Sequence, residues 1–185
     1  MNRRHFVKSA IAGAVIGKSV IAQNRAASAN EKVNVAFIGI RGRGKGLINS
    51  FAALSDVNIA YLCDVDQRVL ESVCADVEKK TGKKPQSAGD LRRVLDEKSV
   101  DAVVIATPDH WHAPAAILAC DAGKDVYVEK PLTHDLSEGK AIIAAQNESK
   151  RVVQVGTQQR SMTHVAKAYE LLKAGTIGKV HKVHC

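Results

Sequence analysis

The sequence predicts an α/β fold with a doubly wound, mostly parallel sheet, and three observations carry that prediction. Short runs rich in Val, Ile and Ala alternate with amphipathic stretches of helical period from residue 33 to residue 173. The first run, Val33 to Ile38, leads directly into a glycine-rich turn, Gly39-Ile40-Arg41-Gly42-Arg43-Gly44-Lys45-Gly46. Polar clusters follow the ends of later runs: Asp64, Thr107 to His112, Glu129-Lys130 and Thr157 to Arg160. In an open parallel sheet these positions share one rim, at the carboxyl ends of the strands, where ligands bind. Composition agrees: 45% hydrophobic residues with only 4% aromatic suit a core of Val, Ile, Ala and Leu.

Residues 1–29 stand apart. They hold Arg3, Arg4, Lys8, Lys18 and Arg25 and no acid. Paired arginines precede a mildly apolar stretch from Ser9 to Ala22 and a small-x-small site, Ala27-Ser28-Ala29. The pattern reads as a twin-arginine export signal, with the translocase as partner and the periplasm or exterior as destination. A disordered basic tail is the alternative, and Lys18 interrupts the apolar stretch, which is too short for a membrane span. Without this segment 22 basic residues face 19 acidic ones, so the formal charge of +8 falls to +3. No basic stripe interleaved with aromatics remains, which argues against nucleic acid as a partner. Cleavage after Ala29 leaves 156 residues. That length suffices to bury roughly 70% of the unfolded surface.

Val33 to Ile38 is the first strand and Lys45 to Leu54 the first helix. The turn between them approaches the G-x-G-x-x-G fingerprint. Gly39 and Gly44 take its first and third places, Arg41 the second, and Gly42 falls one place later. Without a Cβ the backbone can turn sharply and approach a phosphate at the helix N-terminus. An ordinary flexible turn is the alternative. Arg41 either loosens the approach or itself touches phosphate. Val57 to Cys63 is the second strand, ending at Asp64, 25 residues past Gly39. A carboxylate there accepts from ribose hydroxyls and repels a 2′-phosphate, which favours NAD without excluding NADP. Helix capping is the alternative for Asp64 and the preferred role for Asp66.

Gln67 to Lys80 is helical, with Val69, Leu70, Val73, Cys74 and Val77 in one stripe. A charged turn and Pro85 lead to a short helix, Leu91 to Leu95. Asp101 to Ala106 is a buried strand followed by Thr107-Pro108-Asp109-His110-Trp111-His112. Ala113 to Ala122 is a helix closed by Gly123. Asp125 to Val128 is a strand ending in Glu129-Lys130-Pro131, Asp135 to Ser149 a helix, and Val152 to Val155 a strand. Val165 to Lys173 is a helix closed by Gly175, and Val180 to His184 begins a further strand. Cys63, Cys74 and Cys120 fall inside these elements as small apolar residues. No C-x-x-C occurs, and His110-x-His112 has no third ligand at suitable spacing, so no metal is expected.

Taken together, these residues resemble the N-terminal, dinucleotide-binding domain of the glucose–fructose oxidoreductase, inositol dehydrogenase and MocA (Gfo/Idh/MocA) family. The resemblance rests on Ala36 to Gly46, Cys63-Asp64-Val65-Asp66, Ala106-Thr107-Pro108 with His112, Gly123 to Pro131, and Val155 to Arg160. The export signal and the Asp-His-Trp-His wording resemble the secreted branch. The resemblance implies a Rossmann-type domain over residues 30–160. It implies a linker helix and first strand of a C-terminal substrate domain over 161–185, that domain being largely absent, and homo-oligomers for a fuller form. It further implies an NAD(P)-dependent oxidoreductase acting on a sugar, polyol or related alcohol. Lys130 would be the catalytic residue, polarising a substrate oxygen or assisting its proton transfer, with Glu129 orienting it. Gly39, Arg41, Gly42, Gly44, Asp64, Thr107, Pro108, His112 and Glu129 would lie along the cofactor, His112 in a structural or cofactor-side role. Gln158 and Arg160 would approach the substrate, with plain ion pairing an equal role for Arg160. Trp111 would pack beside the cofactor or cover the domain edge. Two other readings stay open: an NAD-dependent glycosidase of the same family, and a non-catalytic nucleotide-binding module.

Overall fold

The computed structural model describes residues 32–184, so the proposed export signal lies outside the described residues. These residues fall into two compact units, 32–156 and 157–184.

The first unit is a six-stranded, all-parallel sheet. Its strands are β1 (Val33–Ile38), β2 (Val57–Cys63), β3 (Gln86–Ala88), β4 (Ala102–Ile105), β5 (Asp125–Glu129) and β6 (Val153–Gly156). The spatial order is β3-β2-β1-β4-β5-β6. The order reverses between β1 and β4, so the crevice of a doubly wound sheet opens there, between the loops that leave those two strands. Connecting helices are α1 (Gly42–Ala52), α2 (Gln67–Thr81), α3 (Leu91–Leu95), α4 (His112–Asp121) and α5 (Leu136–Ser149).

The central strands are buried on both faces, which explains their unbroken apolar runs. Ala36, Ile38, Val103, Ile105, Val126 and Val128 build one core with Ala115, Ala116, Ala119 and Cys120 of α4 and Ala145 of α5. On the alternate positions, Phe37 meets Phe51 of α1 edge-on at 5.5 Å between ring centres, and Phe51 meets Tyr127 of β5 at 6.5 Å. The small residues of α4 let it lie close to the sheet, and α4 packs in turn against α5.

Capping residues set the helix ends. Asp66 accepts from the Arg68 N–H to start α2, as its sequence position suggested, and Gly82 ends that helix at φ 74°. Asp90 starts α3 in the same way. Asp135 and Glu138 form a capping box at α5. Lys124 is buried and donates from Nζ to the Glu97 and Val100 carbonyls at 2.7 and 2.9 Å, tying β5 to the turn before β4.

The structure corrects the sequence reading in three places. Gln-Ser-Ala at 86–88 is a strand, missed because an edge strand of three polar or small residues carries no apolar run. Helix α1 begins at Gly42, not Lys45, so Gly42 to Gly44 form its first turn. In the second unit, a 3₁₀ turn (158–161) precedes helix α6 (Thr163–Lys173), and residues 180–184 form no strand. Alternation of Val with polar residues there signals a strand only where a partner edge is present to pair it.

Cys63, Cys74 and Cys120 are buried free thiols. Burial pushes all three up, Cys63 to about 12 with the nearby Asp64 and Asp90 carboxylates adding to the effect. Because the thiolate is the reacting form, iodoacetamide at mildly alkaline pH leaves these cysteines unmodified in the native protein. All three react once the chain is unfolded in denaturant. Native labelling at any of them, read by peptide mass, would contradict this packing.

Candidate dinucleotide-binding site

The site is built at the carboxyl ends of β1, β2, β4 and β5. The chain leaves β1 at Gly39, whose amide donates to the Cys63 carbonyl at 2.9 Å. Gly39 has φ 79°, and a Cβ there would lie 2.7 Å from the Thr107 nitrogen and 2.8 Å from the Ala106 carbonyl carbon. Only glycine fits this turn. Gly44 is buried, and a Cβ on it would lie 2.1 Å from the Gly39 carbonyl oxygen. Gly44 is therefore the close-packing glycine that lets α1 approach β1. Gly42 has φ 40° and open space around its Cα, with nothing within 4 Å of a Cβ position. The backbone approach expected of the fingerprint's second glycine thus falls to Gly42, and Arg41 is the N-cap residue of α1 in extended conformation.

Asp64 follows β2 and binds the glycine turn directly. Its two carboxylate oxygens accept from the Ile40 N–H at 3.2 Å and the Asp66 N–H at 3.0 Å. The carboxylate is thereby fixed beside the loop, with lone pairs left for a diol. Arg41 reaches across to pair with Asp66. Arg68 hydrogen-bonds the same carboxylate, and the two cations hold Asp66 below the usual carboxylate range, Arg68 contributing most. Arg41 and Arg68 thus share the single charge of Asp66 at the edge of the loop.

Across the crevice, Thr107 follows β4. Its Oγ1 is buried and has no protein partner. A buried hydroxyl is normally satisfied, so this orphan marks a place for a ligand group. Pro108 is exposed at the start of the 3₁₀ turn 109–111. His112, the first residue of α4, is 2% exposed. Its Nε2 lies 2.9 Å from the Thr107 carbonyl and its Nδ1 2.5 Å from the Pro131 carbonyl. The ring therefore clamps the loop after β4 to the loop after β5. A sealed ring with both nitrogens in contact with main-chain carbonyls favours the structural of its two readings.

Lys130 follows β5 and is exposed. Glu129 is 4% exposed. Its ion pair is with Arg43 of α1, Nε to Oε1 at 2.7 Å, while Oε2 accepts from the Lys130 backbone N–H at 3.2 Å. Glu129 thus holds the Lys130 main chain, but its charge is answered by Arg43. Trp111 is 46% exposed, which leaves both of its readings open. Asp109 pairs with His134, Nδ1 to Oδ2 at 3.3 Å, and that contact holds its carboxyl below the usual range. Gln158 belongs, with Arg160, to the second unit, in its 3₁₀ turn.

Arg43, Tyr127 and His134 were not singled out from the sequence. A signal for the first two was present: Tyr127 and Glu129 are two apart on one strand and so share a face, and a cation set among glycines faces that strand. Among the described residues, no group of three His, Cys, Asp or Glu is arranged to hold a metal.

A glycine turn closing on the first helix, an acid at the end of the second strand and an orphaned threonine at the switch point define a dinucleotide-binding Rossmann domain. Residues 33–157 match the model of the Gfo/Idh/MocA oxidoreductase family, described as having an NAD-binding Rossmann fold, and the chain belongs to that family. Its residues fit the cofactor, with open backbone at Gly42, a fixed carboxylate at Asp64 and an unpaired hydroxyl at Thr107. Among curated relatives, an alpha-N-acetylgalactosaminidase from Shewanella oneidensis is 34% identical over 169 residues, which are 77% of this chain and 36% of that protein. Among solved structures, GenD2 of gentamicin A biosynthesis, in complex with NAD, is 25% identical with a TM-score of 0.71, covering 85% of this chain and 43% of that one. The myo-inositol 2-dehydrogenase from Lactobacillus plantarum shares the fold, with a TM-score of 0.72 at 23% identity over 80% of this chain and 43% of that one. The chain spans about a third of the length of the curated relatives it matches.

Proposed function

We propose that this chain carries the cofactor half of an NAD(P)-dependent oxidoreductase that transfers hydride between nicotinamide and an alcohol carbon of a sugar, polyol or related compound. One observation carries the reading: the phosphate cradle, the fixed Asp64 carboxylate, the orphaned Thr107 hydroxyl and Lys130 all follow carboxyl ends of adjacent strands around the β1/β4 switch point. Gly42 and the first turn of α1 would receive the pyrophosphate, whose charge the helix N-terminus favours. Asp64 would hold the adenosine ribose, and Thr107 with Pro108 would line the nicotinamide side. The bound cofactor supplies the hydride acceptor or donor. Lys130 would bind the substrate oxygen through its ε-amine, polarising the carbonyl form or assisting proton movement from the hydroxyl form. Export by the twin-arginine route to the periplasm or exterior, the division at 29/30 and 160/161, and homo-oligomers of a fuller form belong to the same proposal.

A second reading has specific support. Several curated relatives are named glycosyl hydrolase family 109 proteins, the first matched being 34% identical over 75% of this chain. On that reading Lys130 and the cofactor serve a transient oxidation within glycoside cleavage.

The test is calorimetric titration with NAD and NADP, then turnover assays with polyols and with nitrophenyl glycosides. NAD binds at least about tenfold tighter than NADP, because Asp64 repels a 2′-phosphate. Equal or tighter NADP binding overturns that assignment of Asp64. NADH formation from a free sugar or polyol favours the dehydrogenase. Nitrophenol release without net NADH favours the glycosidase, and cofactor binding without either leaves a nucleotide-binding module.

A further inference from the structure

A buried carboxylate must be paired, and for Glu129 the neighbouring Lys130 is the obvious cation by sequence. The fold supplies another. Arg43, in the first turn of α1, reaches Glu129 Oε1 at 2.7 Å, and Tyr127 Oη lies 3.3 Å from the same oxygen. Tyr127 and Glu129 share the β5 face on the α1 side of the sheet, since Phe51 of α1 meets Tyr127. The far side is closed by Gly156 of β6. A Cβ there would lie 2.5 Å from Tyr127 Oη and 3.0 Å from Glu129 Oε1. No side chain at 156 can therefore compete for the carboxylate. Partial burial works against the Arg43 charge, but the Glu129 contacts outweigh it and hold the guanidinium above its usual range. Lys130 stands just beyond, exposed.

We propose that Arg43 is a positioning residue for the active-site lysine: by pairing with Glu129 it neutralises the carboxylate next to Lys130 and leaves the Lys130 ε-amine free for the substrate oxygen. It does so from the same helix turn whose N-terminus would receive the pyrophosphate. The phosphate cradle and the lysine are thus linked through one ion pair. This inference rests on the reading of Lys130 as the catalytic residue.

The test is the pH dependence of Lys130 acetylation by acetic anhydride, read by peptide mass on the full chain. Only the neutral amine reacts, so the midpoint reports the charge around Lys130. In Arg43→Gln the Glu129 carboxylate loses its guanidinium, and the Lys130 midpoint rises by about one pH unit. In Glu129→Gln the unopposed Arg43 moves the midpoint down. The double variant returns toward wild type, and Arg43→Lys restores most of the wild-type value. Midpoints within ~0.2 pH unit of wild type in both single variants, or shifts of the same sign in both, overturn the proposal. Glu129→Gln is nearly isosteric and gives a decisive sign even if Arg43→Gln does not fold. Failure of the underlying reading looks different: saturating NAD would then leave wild-type Lys130 acetylation unprotected, whatever the variants do.

Discussion

Replacing Gly44 with alanine collapses the phosphate cradle. The added methyl would sit 2.1 Å from the Gly39 carbonyl oxygen and 3.0 Å from its carbon, and both are backbone atoms. No rotamer change relieves such a contact, so α1 must move away from β1. Overpacking of this kind costs about 1–3 kcal/mol, more where the neighbour is main chain. Moving α1 also turns its first-turn N–H groups away from the phosphate. Each lost charge-assisted hydrogen bond is worth ~1.5–3 kcal/mol, so NAD affinity falls by at least about tenfold, or 1.4 kcal/mol. Gly46→Ala is the control. It lies in the same helix with nothing within 4 Å of the new methyl. It is neutral or stabilising by up to ~1 kcal/mol, because alanine is the better helix former. Urea denaturation and NAD titration check both variants. Wild-type stability and affinity in Gly44→Ala would show that α1 and β1 do not approach this closely.

Replacing His112 with leucine gives the second large loss. Leucine fills much of the ring's volume but leaves the Thr107 and Pro131 carbonyls without their partner. Thr107 is half-buried and Pro131 exposed, so water replaces part of what the ring supplied, and the loss is about 1–3 kcal/mol in urea denaturation. The two loops it clamps flank the nicotinamide side of the proposed site, and NAD affinity falls with stability. His112→Gln keeps an amide NH₂ and recovers part of both. If His112→Leu matches wild type in stability, the clamp contributes nothing and His112 is merely packed.

The fold class, five of the six strands and every helix of residues 33–173 were legible along the chain. The reason is local: a strand buried on both faces must be continuously apolar, and a helix covering it must repeat its apolar residues every three to four positions. The placement of Gly39, Asp64, Thr107 and Lys130 was legible for a related reason, since each follows the end of a strand and the topology of a parallel sheet sends those ends to one rim. What the sequence could not contain were distances between side chains far apart in it. Arg43 and Glu129 are 86 residues apart, and their pairing depends on α1 and the Glu129 side chain sharing one face of the sheet. His112 was legible as a helix start, but whether it faced the cofactor or sealed two loops depended on where the chain after β5 returned. The three roles within the glycine turn were likewise decided by packing: Gly44 against Gly39, Gly39 against Thr107, and Gly42 against open space. Periodicity determined the elements and the rim on which the polar residues gather. Only the tertiary structure, through burial and close approach, decided which of those residues remain free for a ligand and which are already committed to one another.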